Sequence, residues 1–320
     1  MRMRRVVFAI AIAMVLTSAG GISRASAQKS DVSDKDFLGR WDLTLKAPDR
    51  EYPSWIEISD KDGKVSALFV SRWGNARPLP KIEINGSHIM FVSPKEEEDR
   101  KEDMVFEGTL TGKTLSGTTT GQDGTPWTWT GVPAPALEGT RTPKWGKPIE
   151  LFNGKDLTGW HMDRAGPPVW TVENGSLVKP GNGPELINDQ KFQDFKLHVE
   201  FNCGKDANSG VYLRGRYEVQ VETESQAEPP SHHTGGVYGF LAPSPELPRS
   251  PDVWQTFDIT LIGRRLTVVQ NGQTVIENQE IPGITGGALN SQEGTPGPIY
   301  LQGGEKGRVL FRKIVITPAK

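Results

Sequence analysis

The sequence predicts an all-β protein made of two sheet-built units, the second a double-sheet jelly roll. Three observations carry this. Asn85-Gly86, Asn174-Gly175 and Asn271-Gly272 stand between apolar runs, and Asp62-Gly63 is of the same kind. Both central positions of a type I′ hairpin turn need positive φ, which such pairs tolerate. Apolar and polar residues alternate at period two, with no long stretch repeating at 3.6 residues. Glycine (36) and proline (24) punctuate the 320 residues throughout.

The chain opens with Arg2, Arg4 and Arg5, an apolar run from Val6 to Leu16, and Ala25-Ser26-Ala27. That is the pattern of a secretory signal over 1–27, with the mature protein starting near Gln28. The expected location is periplasmic or extracellular, and the apolar run is short for a membrane span. Residues 35–132 follow as a small antiparallel β-barrel or sandwich domain. Gly39 to Leu45, Trp55 to Ile58 and Lys81 to Ile84 alternate in polarity, and His88 to Val92 and Met104 to Leu110 supply further strands. A Pro-rich linker covers 133–148. The second unit, 149–318, holds strand candidates from Trp170 to Val172, Lys196 to Asn202, Val211 to Leu213 and Tyr217 to Val221. Val237 to Phe240, Gln255 to Ile262, Leu266 to Gln270, Ile299 to Gln302 and Val309 to Ile316 continue the series. So many strands in this length point to two packed sheets.

Lys plus Arg number 37 against 39 Asp plus Glu, for a net charge of −2, and the signs are interspersed. That balance argues against nucleic acid as a partner. Cys203 is the one cysteine, so no internal disulfide forms, and it reads as a small buried hydrophobe.

The chemistry concentrates between Asn208 and Glu222. Asn208-Ser209-Gly210-Val211-Tyr212-Leu213-Arg214 and Tyr217-Glu218-Val219-Gln220-Val221-Glu222 read as two strands around Gly215. At period two, Tyr212 shares a face with Arg214, and Glu218 with Gln220 and Glu222. A cation, carboxylates and an amide on rigid strands suit a polyhydroxylated ligand. A salt-laced exposed face is the plainer alternative.

Several spaced motifs recur in this half. Leu151-Phe152-Asn153-Gly154-Lys155-Asp156-Leu157-Thr158-Gly159-Trp160 opens it, and the Asn208–Gln220 pair of strands forms its centre. Gly236-Val237-Tyr238-Gly239, Trp254-Gln255-Thr256-Phe257-Asp258, Gly297-Pro298-Ile299-Tyr300-Leu301-Gln302 and Phe311-Arg312-Lys313-Ile314 follow. Together they resemble the 3-keto-disaccharide hydrolase family over 149–318, with no likeness in the first unit. The resemblance implies a concanavalin A-like jelly roll acting on 3-keto mono- or disaccharides and glycosides through lyase and hydratase steps. A C3 ketone acidifies the C2 hydrogen, so a base forms an enediolate that expels the C1 substituent. Water then adds to the 2-hydroxy-3-keto-glucal. This route needs a base at C2, a cation or donors at the C3 oxygen, and an acid near the leaving oxygen.

On that reading Glu218 is the base and Arg214 stabilises the enediolate. Asn208, Gln220, Tyr238, Glu222 and Asp206 bind sugar hydroxyls, although Asn208 and Asp206 also suit turn formation and Tyr238 the core. His232 and His233, in a Pro-rich loop, are candidate acids or bases. No cofactor is required by any motif. One divalent ion held by His233 and Glu218 is chemically attractive, because a Lewis acid steadies an enediolate. Where the family often has a histidine after the Ile299 to Gln302 strand, this chain reads Gly303-Gly304-Glu305.

Two other functions remain open. A lectin-like module would stack sugars on Trp160, Trp170 or Trp254 without turnover. A two-carboxylate glycoside hydrolase would use Glu218 and Glu222. Residues four apart on a strand are about 13 Å apart at the backbone, whereas a retaining pair needs roughly 5 Å between carboxyls.

Overall fold

The structure is a computed structural model that describes residues 32–72, 74–95, 100–121, 123–139, 142–167, 169–224 and 228–320. The export signal expected over 1–27 lies outside them. Among the described residues no helix is long and apolar enough to cross a membrane.

The first sheet is built from β1 (Gly39–Lys46), β2 (Glu51–Lys61), β3 (Lys64–Val70), β4 (Arg77–Pro78) and β5 (Lys81–Asn85). It continues through β6 (His88–Ser93), β7 (Met104–Thr111), β8 (Thr114–Thr120) and β9 (Pro126–Pro133). The order is β4-β3-β2-β1-β9-β8-β7-β6-β5. Alternation drives it: Trp41, Leu43 and Leu45 of β1 enter one core with Ile56, Ile58, Phe91 and Phe106. Phe69 of β3 meets Phe91 of β6 and Phe106 of β7, each at 5.3 Å between ring centroids. Strands far apart in the order therefore touch through their side chains, so the sheet curls around its own core.

The second unit adds β10 (Ile149–Glu150), β11 (Trp160–Met162), β12 (Thr171–Glu173), β13 (Ser176–Lys179), β14 (Leu186–Asn188) and β15 (Phe195–Cys203). Then come β16 (Asn208–Leu213), β17 (Tyr217–Glu222), β18 (Trp254–Ile262), β19 (Arg265–Gln270), β20 (Gln273–Glu280), β21 (Tyr300–Leu301) and β22 (Val309–Pro318). One sheet runs β12-β13-β22-β15-β18-β19-β20, with β10 on β22; the other runs β11-β14-β21-β16-β17. Phe195, Leu197, Val199 and Phe201 of β15 pack against Val211, Leu213, Tyr217 and Val219 of β16 and β17 between them. The outer face of the five-stranded sheet is left to carry polar groups.

Turn chemistry follows the sequence closely. Asn174 and Gly175 (φ 49° and 76°), Asn271 and Gly272 (51° and 79°) and Asp62 and Gly63 (55° and 78°) are left-handed pairs. At Asn85-Gly86 the hairpin forms, but Asn85 pairs with His88 as part of β5, so only Gly86 takes positive φ. The segment from Val237 to Phe240, expected as a strand, is a turn bridged between Val237 and Leu241.

The two units share a packed face. Trp55 and Val70, from β2 and β3, are each 1% exposed and belong to the core of the second unit. Burial of this kind contributes roughly 1.5–3 kcal/mol per large apolar side chain. The Trp55 indole donates to Ile284 O at 2.9 Å. Gly283 comes so near that a β-carbon there would lie 2.6 Å from Trp55 Nε1. The segment after β9 is also anchored: Ala134 N donates to Arg40 O, and Gly146 N to Pro318 O.

Candidate functional site

A cavity of about 870 Å³ opens on the outer face of the five-stranded sheet. Its floor is set by strand register. Tyr212 of β16 pairs with Glu218 of β17 and with Tyr300 of β21, and Gly210 pairs with Gln220. These residues project to the side away from Val211, Leu213 and Val219, so the alternation that fills the core also builds the site.

Glu218 is the centre of the floor, 2% exposed and lining the cavity. The Tyr212 hydroxyl lies 2.8 Å from Glu218 Oε2 and 2.7 Å from Gly286 O. It has one proton for two acceptors. When Tyr212 donates to Gly286 O, its contact with Glu218 requires the carboxyl to keep a proton of its own. Burial pushes Glu218 well above the usual carboxylate range, and the charges of Glu185 and Glu305 add to this against the Tyr212 hydrogen bond. Tyr212 stacks on Tyr300 at 3.9 Å and 13°, and Tyr300 donates to Gly287 O at 2.6 Å. The pair of rings fixes the Tyr212 hydroxyl, which in turn fixes the carboxyl.

Glu218 Oε1, Gln220 Oε1 and Gln302 Oε1 are buried without a hydrogen-bond partner among the described residues. All three residues line the cavity. Unmet buried acceptors are costly, and a hydroxyl-rich ligand would satisfy them. Gln220 Nε2 donates to Asn208 Oδ1 at 3.2 Å, and Asn208 Nδ2 to Glu224 Oε2 at 2.9 Å, which holds both amides in place. Glu185 enters from just before β14 and is raised to about 7. Burial is the main cause, opposed by the Gly303 N–H that donates to its Oε2 at 2.6 Å. Glu305 is raised by burial and then by Glu224.

The structure brings together four of the residues expected from sequence: Glu218, Gln220, Asn208 and Tyr238 all line the cavity. Arg214 is a correction. It is fully buried, donates to Tyr217 Oη at 3.2 Å and to Gly263 O, and lies 5.0 Å over the Tyr217 ring. Its φ of 53° puts it in the turn, where period-two alternation ends, and its side chain swings to the core-facing side with Tyr217.

Glu222 shares the face of Glu218 but is covered by the loop that follows: Oε1 pairs with Arg249 at 3.3 Å, and Oε2 accepts from Glu224 N at 2.7 Å. Asp206, at φ 52°, sits in the turn before β16 and outside the cavity lining. His232 bridges Glu228 Oε2 (3.1 Å) and Asn75 Oδ1 (3.0 Å) and stacks on Tyr238 at 4.2 Å. His233 lies 2.8 Å from Glu246 Oε1 and 3.1 Å from Glu228 O. Neither histidine lines the cavity, and His233 is not brought to Glu218. Among the described residues no group of three or more His, Cys, Asp or Glu side chains has the arrangement of a metal site.

Sequence reasoning missed Glu185 and Glu305 in the cavity lining, the stacking of Tyr212 on Tyr300 beside Glu218, and a wall from the first unit. Tyr300 and Gln302 stand in a motif already noted for its likeness, but nothing local distinguishes Glu185. Trp160 and Trp170 are core residues whose indoles donate to Leu151 O (2.7 Å) and Pro184 O (2.8 Å), and Arg312 lies 3.7 Å over Trp254. Glu218 and Glu222 do not form a facing carboxylate pair.

Fold and site thus define a two-sheet β-sandwich whose polar outer face carries a buried acid between tyrosines and amides. The model of the 3-keto-alpha-glucoside-1,2-lyase-like domain matches residues 147–317, and the chain belongs to that family. A 3-keto-disaccharide hydrolase of Bacteroides thetaiotaomicron is 34% identical over 76 residues, which are 20% of this chain and 26% of that protein. The chain therefore aligns with about a quarter of that relative's length. A candidate glycosyl hydrolase from Parabacteroides distasonis superposes at TM-score 0.45 with 28% identity, covering 57% of this chain and 88% of that one. A second from the same organism gives TM-score 0.45 with 19% identity, covering 54% and 94%.

Proposed function

We propose that the protein cleaves glycosides already oxidised to a ketone at C3, by elimination and hydration. The observation that carries this reading is the Glu218 carboxyl, buried on the cavity floor, bonded to Tyr212 and raised in pKa. A carboxylate of raised pKa is the stronger base, and its lone pair must face a weakly acidic C–H. Ionised Glu218 takes the C2 proton, and the electron pair moves onto the C3 oxygen as an enediolate. The pair then returns to form the C1–C2 double bond as the C1–O bond breaks. Glu185, at about 7 and so divided between its two forms at neutral pH, gives the leaving oxygen its proton. Water then adds hydroxide at C1 and a proton at C2. Tyr238 and the Asn208–Gln220 amides hold sugar hydroxyls, while the Arg2 to Ala27 stretch suits export of the enzyme.

The test uses a 3-keto glucoside and its unoxidised parent in deuterated buffer, with NMR following the C2 proton and the released aglycone. Loss of the C2 proton, a glucal intermediate and release from the keto sugar alone are expected, all abolished by Glu218→Gln. Equal release from both sugars would overturn the elimination route in favour of a conventional hydrolase. Binding without release from either would mark a lectin-like module.

A further inference from the structure

Three tyrosines of the second unit line the cavity, and two of their hydroxyls are engaged. Tyr212 bonds to Glu218 and to Gly286 O, and Tyr300 to Gly287 O. The Tyr238 hydroxyl has no hydrogen-bond partner among the described residues, which leaves it to donate to a ligand. Burial and then the Glu218 charge push its phenol up to about 12, so it keeps its proton beside the floor of the site.

Tyr238 stands on a turn and not on a strand. Its backbone is tied to β17, where Tyr238 N donates to Glu218 O at 3.1 Å, but that bond leaves the ring free to rotate. The ring is set from behind, by His232 stacked on it at 4.2 Å and 19°. His232 in turn lies between Glu228 Oε2 (3.1 Å) and Asn75 Oδ1 (3.0 Å). Asn75 belongs to the first unit, between β3 and β4 and outside the matched residues 147–317. We propose that the first unit completes the sugar-binding site, with Asn75 and His232 as positioning residues that aim the Tyr238 hydroxyl at a sugar oxygen. The proposal rests on the reading of the cavity as a keto-glycoside site.

Asn75 bears on the turn as well as on the histidine. A β-carbon at Gly239 would fall 2.7 Å from Asn75 Cγ and 3.2 Å from its Cα, and Gly239 takes φ 76°. Glycine meets both demands, the left-handed backbone and the close approach. One residue on, Phe240 packs at 6.0 Å on Trp55, which is buried in the second unit's core. Side chains from β2 and from the segment after β3 therefore hold two successive residues next to Tyr238. A ring ordered before the ligand arrives removes that ordering cost from the binding step. The family domain supplies Tyr238 and His232, and the first unit supplies what fixes them.

The first arm of the test needs no turnover. Protein labelled with 3-fluorotyrosine gives fluorine signals for its five tyrosines, and those of Tyr238, Tyr212 and Tyr300 are identified by their loss in the corresponding Phe variants. Asn75→Ala and His232→Ala should each shift or broaden the Tyr238 signal and leave those of Tyr212 and Tyr300 in place, with thermal unfolding confirming that both variants fold. A Tyr238 signal unmoved in either variant, or moving only together with the other two, overturns the proposal. The second arm is kcat/KM on a 3-keto glucoside. Tyr238→Phe should lose about tenfold and Asn75→Ala about three- to tenfold, mainly through KM. In the Tyr238→Phe background Asn75→Ala should cost less than about twofold more, because the hydroxyl it acts through is already gone. Losses that multiply overturn the proposal. If wild type turns over no keto sugar, the lyase reading falls and the fluorine arm still decides the positioning. The unconsumed keto glucoside is then titrated into labelled wild type, and a Tyr238 signal that does not move overturns the sugar contact.

Discussion

Gly210→Ala tests the placement of Glu218 directly. Gly210 has ordinary strand φ, so alanine meets no backbone strain there. Its added β-carbon would fall 2.1 Å from Glu218 Oε1, 2.7 Å from Cγ and 2.8 Å from Cδ. Ordinary contact begins near 3.4 Å, so the carboxyl oxygen must give by 3.4 − 2.1 = 1.3 Å. Glu218 is held by Tyr212, and Tyr212 is stacked on Tyr300, so the carboxyl can give way only into the cavity and away from Tyr212. A shift of that size disturbs the 2.8 Å bond to Tyr212 or drives Tyr212 off its partner ring. Misplacing a catalytic group by about 1 Å costs on the order of a hundredfold in rate, and overpacking costs about 1–3 kcal/mol of stability. The assay is kcat/KM on a 3-keto glucoside with C2 proton exchange, alongside thermal unfolding. A drop of about a hundredfold in rate with a Tm loss of only a few degrees is expected. Activity within about twofold of wild type would refute the assignment of Glu218 as the base.

Further outcomes follow from the same geometry. Tyr212→Phe removes the hydrogen bond that lowers the Glu218 pKa, so the rising limb of the kcat/KM profile should move to higher pH; a shift to lower pH, or none, would count against Glu218 acting as a base. Arg214→Met should lower Tm by several degrees while the folded fraction keeps its KM, because the guanidinium serves Gly263 O and Tyr217 and not the cavity; a hundredfold loss of kcat with Tm intact would return it to the catalytic site. Asp42 is raised to about 7, first by burial and then by Glu293. The folded protein keeps that proton where the unfolded chain sheds it, so the contribution to stability is whole below about 3.8 and is lost as pH rises through 7. The Tm of Asp42→Asn relative to wild type should therefore climb between about pH 5 and pH 8 in calorimetry, and a flat difference would contradict this.

The floor of the site was legible because it obeys local rules. Period two places Glu218 and Gln220 together, and the same period in β16 places Asn208 and Tyr212 opposite them. Arg214 was misread because alternation was carried one residue into a left-handed turn, where the side chain leaves the face its neighbours share. His232 and His233 lie in a loop whose course depends on Asn75, Glu228 and Glu246, and no spacing rule reaches that far. The docking of the two units had one visible trace. Ile56 and Ile58 face the first core, so Trp55 must point the other way, and a lone sheet would leave it in water. An out-of-phase tryptophan in an alternating strand is the mark of a second surface.

The withdrawal of Arg214 bears on the chemistry as well as on the fold. A guanidinium beside Glu218 would favour the ionised carboxylate and draw its pKa down, weakening it as a base. The groups that perturb Glu218 are instead its burial, the neutral Tyr212 hydroxyl and the acids Glu185 and Glu305. Left-handed φ at Arg214 and Gly215 closes the β16–β17 hairpin and carries the cation to the far side of the sheet. Burial, Glu185 and Glu305 then raise the carboxyl's affinity for a proton, against the Tyr212 hydrogen bond. A base facing a C–H acid gains from that environment, whereas a nucleophile or an ion-pair partner would need the cation nearby. If Glu218 is the base proposed above, the turn that upsets simple alternation is the feature that keeps a cation away from it.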